Sequence, residues 1–128
     1  MAREPSVLVI DRSEETREVL RTALERRGIR ILAAGGKKHG LELARQYHPD
    51  LIVLDLELEN AAPEEICAPF VHQSQPLQTP MVLLGTRRRK SQALAAGEFV
   101  AKPYHYGPLI RKIEEMLGAT GQALARSA

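Results

Sequence analysis

Two aspartates and a lysine each stand directly after a short apolar run. Asp11 follows "VLVI", Asp55 follows "LIVL" and Lys102 follows "FVA". Gly85 and Thr86 occupy the corresponding place after "MVLL". Two carboxylates, a hydroxyl and an ammonium are the groups that bind a hard cation and an anion side by side. If the fold brings these four places together, the residue types predict a site for a divalent cation and a phosphate-like anion.

The elements that must position these residues alternate between apolar runs and helical patterns. The runs are Val7–Ile10, Ile29–Ala33, Leu51–Leu54, Met81–Leu84 and Phe99–Ala101. Apolar runs without polar alternation are typical of parallel strands that are buried on both faces. Right-handed crossovers and one chain reversal then predict an α/β fold, a doubly wound five-stranded parallel sheet of flavodoxin-like order 2-1-3-4-5 with helices on both faces. Ligands of such sheets bind at the carboxyl ends of the strands, where the residues above lie.

Five helices are predicted between and after these strands. Their predicted extents are a first helix from the cap Ser13 to Gly28, a second over 38–47, a third from Pro63, a fourth over 88–96 and a fifth from Pro108 to Gly118. Pro69 is expected to bend or shorten the third helix because proline removes a backbone donor. The prediction is one domain over residues 1–118 and a flexible tail or linker over 119–128.

Composition narrows the class of protein. The chain has 128 residues, of which 44% are hydrophobic and 27% charged, as is usual for one globular domain. No apolar run approaches the ~20 residues of a membrane span, and the N-terminus lacks a signal peptide. The single cysteine, Cys67, has no disulfide partner and is expected to be a small buried hydrophobe. These features predict a cytoplasmic protein, and a net charge of only +2 does not favour nucleic acid as a partner.

Four segments in order resemble the receiver domain of two-component response regulators. They are "VLVIDRSEETREVL", "HPDLIVLDLEL", "TPMVLLGT" and "ALAAGEFVAKPY". The resemblance covers residues 5–117, and the segment that ends in "VLD" is its most specific part.

The resemblance implies roles for the residues at the strand ends. Asp55 would be the phosphoacceptor, whose carboxylate attacks a phosphoryl group to give an acyl phosphate. Lys102 would pair with Asp55 and later with the phosphoryl group, and the peptide bond before Pro103 would be cis. Asp11, Asp55 and Glu57 are the candidate ligands of Mg²⁺. A histidine kinase or phosphotransfer protein would be the phosphoryl-donating partner.

Three residues depart from the pattern of that family. Arg12 stands where the family usually has a second acid. Gly85 stands where the family has a serine or threonine hydroxyl. Thr86 could replace this hydroxyl only after a one-residue slip, which would turn its side chain to the other face of the strand. Phe99, at the aromatic switch position, has no phenolic oxygen.

Arg12 bears directly on the predicted metal site. Mg²⁺ requires oxygen ligands, and a guanidinium offers none while adding a repelling positive charge. Arg12 either faces solvent or forms a salt bridge with Asp55, and Asp11 is then left to pair with Lys102 or Arg12. The sequence therefore predicts that Mg²⁺ binds weakly or not at all.

The predicted function is that of a receiver domain in phosphorelay signalling with a degenerate phosphoryl site. The alternative is a phosphorylation-independent interaction module. A nucleotide or flavin binder is disfavoured because no Gly-rich loop follows the first strand, and no nucleophile–base pair indicates an enzyme. Partner binding or homodimerisation is expected at the output face, defined here as the predicted fourth helix, the fifth strand and the fifth helix with Arg87–Lys90, Tyr104 and Tyr106.

Overall fold

The structure, a computed structural model, describes residues 4–86 and 97–127, with side chains described as far as residue 118. Its elements are β1 (Ser6–Ile10), α1 (Glu14–Glu25), β2 (Arg30–Ala34), α2 (Lys37–Tyr47), β3 (Leu51–Asp55), α3 (Pro63–Ser74), β4 (Met81–Gly85), β5 (Gly97–Ala101) and α4 (Tyr106–Ser127). The strands form one parallel sheet in the order β2-β1-β3-β4-β5. The predicted fold class and strand order are therefore confirmed.

The sheet has an apolar layer on each face because successive strand residues point to opposite sides. Val7 and Val9 of β1 join the layer that contains Leu20 of α1 and Ile113 of α4. The alternate residues of β1 join the opposite layer, which α2 and α3 cover. Every residue of β1, β3 and β4 is buried, as expected for central parallel strands.

The first helix begins as the sequence predicts. Ser13 Oγ accepts a hydrogen bond of 3.1 Å from the backbone N–H of Thr16, which satisfies one of the free donors at the helix start. Glu14 and Glu15 place negative charge in the first turn, where the helix dipole favours it. This cap fixes the loop that follows β1, and Asp11 lies in that loop.

The structure corrects the predicted end of the last helix, and it places Pro69 inside α3, as the sequence predicts, with the helix continuing to Ser74. Proline removes only one helical hydrogen bond there, whereas Ile66 and Phe70 on either side of it are fully buried. The last helix begins at Tyr106 and passes Gly118 to Ser127, through residues predicted as a tail. A glycine inside a helix costs only about 1 kcal/mol relative to alanine, and good helix formers follow it.

Three further predictions concern the fourth helix, Cys67 and membrane-spanning helices. The predicted fourth helix, 88–96, lies outside the described residues. Cys67 is fully buried, and burial followed by the charge of Glu64 raises the pKa of its thiol to about 11. No helix in the described part of the chain is both long and apolar enough to span a membrane.

Candidate functional site

The centre of the site is Asp55, the last residue of β3, which is only 4% exposed. Its Oδ1 accepts a 2.7 Å hydrogen bond from Lys102 Nζ and a 2.9 Å hydrogen bond from the backbone N–H of Glu57. The described residues donate no hydrogen bond to Oδ2. One carboxylate oxygen is therefore held in place, and the other keeps its lone pairs.

Lys102 reaches Asp55 because the pairing of β4 and β5 continues one residue past β5. The backbone N–H of Lys102 donates to the carbonyl oxygen of Gly85 over 2.9 Å. The Lys102–Pro103 peptide bond is cis, as the resemblance implied. Burial alone would lower the pKa of Lys102, but the hydrogen bonds and charges of Asp55 and Glu57 outweigh it and raise that pKa. The ammonium form is therefore stabilised in the folded protein.

Glu57 contacts two donors, Lys102 and Thr86, and the sequence did not predict that one side chain would link them. Its Oε1 lies 3.1 Å from Lys102 Nζ, and its Oε2 accepts a 3.1 Å hydrogen bond from Thr86 Oγ1. Thr86 follows the last residue of β4, so the alternation of side chains along the strand does not dictate its direction. The site therefore contains a hydroxyl from position 86, although position 85 has none.

Asp11 lies at the same edge but makes a different contact from the one predicted. The expected ion pair with Lys102 or Arg12 is not formed among the described residues, because Asp11 Oδ1 accepts the backbone N–H of Ser13 over 2.8 Å. Arg17 donates to the Asp11 carbonyl oxygen over 2.7 Å and fixes the loop further. Burial, followed by the charge of Asp55, raises the pKa of Asp11, while the Ser13 N–H and the charges of Lys102 and Arg17 oppose this rise.

Arg12 is exposed at the rim of the site. It lines a cleft of about 460 Å³ together with Glu57, Asn60, Gly85 and Thr86. From the sequence, a salt bridge between Arg12 and Asp55 was one of two possibilities. This salt bridge is not formed among the described residues, and Lys102 pairs with Asp55 instead. Of the two interpretations of Arg12, the solvent-facing one agrees with this placement.

Gly85 and Phe99 lie close together on adjacent strands. A Cβ at Gly85 would lie 3.3 Å from Cε2 of the Phe99 ring and 3.5 Å from Cδ1 of Leu56. Phe99 is half-buried and packs on the layer that includes Leu83. A Cβ at position 85 would therefore require the ring to move by a few tenths of an ångström.

The donor set gives a poor fit for a resident Mg²⁺. The family's site supplies acidic oxygens at two adjacent positions, and this chain has Asp11 followed by a guanidinium. Within residues 4–86 and 97–118, no group of three or more His, Cys, Asp or Glu side chains lies so as to hold a metal ion. The candidate ligands Asp11, Asp55 and Glu57 are thus near one another without forming a recognisable metal cluster.

A second cleft, of about 430 Å³, opens on the other side of Lys102. Asp11, Tyr104 and Tyr106 line it. The two tyrosine rings meet edge to face with centroids 5.8 Å apart, and Tyr106 Oη lies 3.2 Å from Thr16 Oγ1. Both tyrosines are half-buried against the core, so only part of each side chain is accessible at the output face.

Two further sets of residues are the basic run of the output face and the histidines. Arg87–Lys90 of the predicted output face lie outside the described residues. The four histidines, His39, His48, His72 and His105, are all exposed.

The fold and the strand-end site define a receiver-like α/β domain, and the comparisons with known proteins name its family. A family model described as "Response regulator receiver domain" matches residues 7–114. The chain belongs to the response regulator receiver domain family. Receiver domains act in two-component signalling and generally bind Mg²⁺ at their phosphorylation site. Response regulators interact with histidine kinases and phosphotransfer proteins.

Curated relatives support the same family. The transcriptional regulatory protein AfsQ1 of Streptomyces coelicolor is 31% identical over 118 residues, which are 88% of this chain and 51% of that protein. The KDP operon transcriptional regulatory protein KdpE of Escherichia coli is 31% identical over 117 residues, again 88% of this chain and 51% of that protein. The chain thus spans about half the length of these relatives.

Solved structures show the same fold. A CheY-like response regulator receiver domain protein from Methanospirillum hungatei aligns with a TM-score of 0.77 at 19% identity, covering 94% of this chain and 98% of that one. The chemotaxis protein CheY4 of Vibrio cholerae aligns with a TM-score of 0.75 at 22% identity, covering 88% of this chain and 98% of that one. At these identities the likeness concerns the fold alone.

Proposed function

We propose that this receiver domain takes part in phosphorelay signalling with Asp55 as its phosphoacceptor and with a degenerate phosphoryl site. The observation that carries the proposal is the 2.7 Å contact between Lys102 Nζ and Asp55 Oδ1 at the carboxyl edge of the sheet. A buried carboxylate beside a fixed ammonium is suited to receive a phosphoryl group, because the ammonium offsets the negative charge that builds up there.

The proposed chemistry follows from the two oxygens of Asp55. Oδ2 attacks the phosphorus of the donor, and a new oxygen–phosphorus bond forms. The bond between phosphorus and the leaving group breaks, and the leaving group departs with that electron pair. Lys102 keeps its proton throughout and stabilises charge on the phosphoryl oxygens. The domain is then a substrate and signal carrier, not an enzyme with a turnover of its own.

We further propose that Mg²⁺ contributes weakly or not at all. Arg12 supports this, since it adds a positive charge next to Asp11 without adding an oxygen ligand. Arg12 lines the cleft beside Glu57 and Thr86, so its charge is available to offset part of the charge of a phosphoryl group. Arg12 is thus a substitute for part of what a cation supplies in the family.

We propose a cytoplasmic domain whose partner is a histidine kinase or phosphotransfer protein, with output to a protein partner or a second copy through the output face. Neither nucleic acid nor a membrane is part of the proposal. The modest net charge of +2 supports a protein partner over nucleic acid.

Incubation with acetyl phosphate, read by intact mass, tests the proposal. The expected result is the gain of one phosphoryl group in the unmodified protein and none in Asp55→Asn, which keeps the shape of the side chain. Parallel samples with Mg²⁺ and with a chelator should differ little. A protein that gains no phosphoryl group, or gains one in Asp55→Asn as well, would contradict the assignment of Asp55.

A phosphorylation-independent interaction module is the second candidate function. It is favoured by the packing of Phe99 against Gly85, because the ring already lies close beside position 85. A switch requires a ligand that distinguishes two states of an element. With no hydroxyl at Gly85 and no phenolic oxygen at Phe99, two groups that would distinguish those states are missing.

A further inference from the structure

Glu57 forms the only contact among the described residues that links the loop after β4 with the loop after β5 through side chains at the site. Its carboxylate lies 3.1 Å from Lys102 Nζ on one side and accepts the 3.1 Å hydrogen bond of Thr86 Oγ1 on the other. Its backbone is also fixed, because its N–H donates to Asp55 Oδ1 over 2.9 Å. Two contacts thus hold the side chain at the site, and a third fixes its backbone.

The donors that Glu57 engages are the ones that a modified Asp55 would need. A phosphoryl group carries about −1.5 to −2 charges and three strong acceptor oxygens. Lys102 donates to Asp55, Thr86 donates to Glu57 two residues along, and Arg12 lines the rim of the cleft. Glu57 and a phosphoryl group on Asp55 would therefore seek the same donors while repelling each other.

We propose that Glu57 is an internal competitor of the phosphoryl group, a positioning residue that holds Lys102 and Thr86 until Asp55 is modified. The inference rests on the proposed function and specifies how the same site is regulated. Phosphoryl transfer to Asp55 forms the oxygen–phosphorus bond and must also release Glu57 from both donors. Until then Glu57 keeps the two loops joined, so the unmodified protein already has Thr86 drawn toward the site.

Glu59 supplies a matched control. It carries the same charge two residues along and lines the same cleft, but its carboxylate pairs with Lys37 at 3.2 Å. Glu59→Gln removes one acidic charge from the same cleft without removing a contact to Lys102 or Thr86. Only the change at Glu57 removes the ion pair with Lys102 and weakens the acceptor of the Thr86 hydroxyl.

The first experiment compares the initial rates of phosphoryl gain from acetyl phosphate in the unmodified protein, Glu57→Gln and Glu59→Gln, read by intact mass. In each reaction, Asp55 takes the phosphoryl group and acetate leaves. Since Glu57 is partly exposed, its ion pair is of the weak class, and we expect Glu57→Gln to react about threefold faster. Glu59→Gln should react at the unmodified rate. An unchanged or slower rate in Glu57→Gln, or an equal acceleration in both variants, would overturn the proposal.

A second measurement does not depend on phosphorylation. Nuclear magnetic resonance of the unmodified protein should show the Thr86 methyl and amide signals shifted by Glu57→Gln and unmoved by Glu59→Gln. In a Thr86→Val background, where the hydroxyl is absent, Glu57→Gln should shift the amide of residue 86 much less. If no variant accepts a phosphoryl group, the proposed function fails while these signals still decide whether Glu57 holds Thr86. If Glu57→Gln does not shift the Thr86 signals, the inference is overturned while the proposed function stands.

Discussion

The ring of Phe99 packs against the bare α-carbon of Gly85, so closely that a Cβ at position 85 would lie 3.3 Å from Phe99 Cε2. The two residues lie on neighbouring parallel strands, and the same ring packs on the apolar layer beneath. A side chain at position 85 and the aromatic ring at position 99 would therefore be in tight contact. This contact connects the two departures from the family pattern that the sequence showed separately.

Gly85→Ala is predicted to lower the free energy of unfolding by about 1 kcal/mol, because the added methyl group overpacks the contact with Phe99 and Leu56. The loss should shrink in a Phe99→Leu background, since the shorter side chain leaves room at position 85. Urea unfolding of the four proteins of this double-mutant cycle measures the coupling. Equal losses in both backgrounds would show that the ring does not restrict position 85.

The residues at the strand ends show how far the sequence could predict the site. Strand ends and topology placed Asp55 and Lys102 correctly, because the carboxyl ends of parallel strands meet at one edge whatever the side chains do. The strand period failed for Thr86, because it lies past the last residue of β4, where no ladder dictates its direction.

The network around Glu57 was beyond sequence reasoning for a related reason. Its partners Asp55, Thr86 and Lys102 lie at the ends of three different strands, and no local sequence pattern specifies the distances between them. The end of the last helix was mispredicted at Gly118, because one glycine costs too little to stop a helix that good helix formers continue.

Asp11→Asn is predicted to raise the free energy of unfolding at neutral pH. Burial raises the pKa of Asp11 above its ordinary value of 3.8. A group whose pKa is higher in the folded protein binds its proton more tightly there, so its ionised form is destabilising at neutral pH. The asparagine removes this charge and keeps an oxygen for the N–H of Ser13.

Two comparisons check the Asp11 prediction by urea unfolding. The gain from Asp11→Asn should diminish as the pH falls through the raised pKa of Asp11 and should be lost below 3.8, where the carboxyl group is protonated in both states. Asp11→Ala should be less stable than Asp11→Asn by about 1 kcal/mol, because the N–H of Ser13 then loses its acceptor. An Asp11→Asn variant less stable than the unmodified protein at neutral pH would show that the ionised carboxylate is a net benefit.

Arg12→Asp is predicted to create or strengthen Mg²⁺ binding. The substitution adds an oxygen ligand beside Asp11 and removes a repelling charge, whereas Arg12→Ala removes only the charge. Calorimetric titration should show weak or no binding in the unmodified protein, an intermediate effect in Arg12→Ala, and at least a tenfold gain in Arg12→Asp, which is about 1.4 kcal/mol. Millimolar or tighter binding by the unmodified protein would contradict the prediction.

The last prediction concerns signal output. With no hydroxyl at Gly85 and with Phe99 already packed against it, the output face is expected to have one conformation whether or not Asp55 is modified. Self-association, or binding of a partner, should therefore have the same affinity in the unmodified protein and in Asp55→Ala, with and without acetyl phosphate. Analytical ultracentrifugation measures self-association, and calorimetry measures partner binding. A phosphodonor-dependent gain of about tenfold, or ~1.4 kcal/mol of coupling, that disappears in Asp55→Ala would show that the switch operates. Output would then depend on phosphorylation, because only the modified state could supply the differential contacts that such a gain requires.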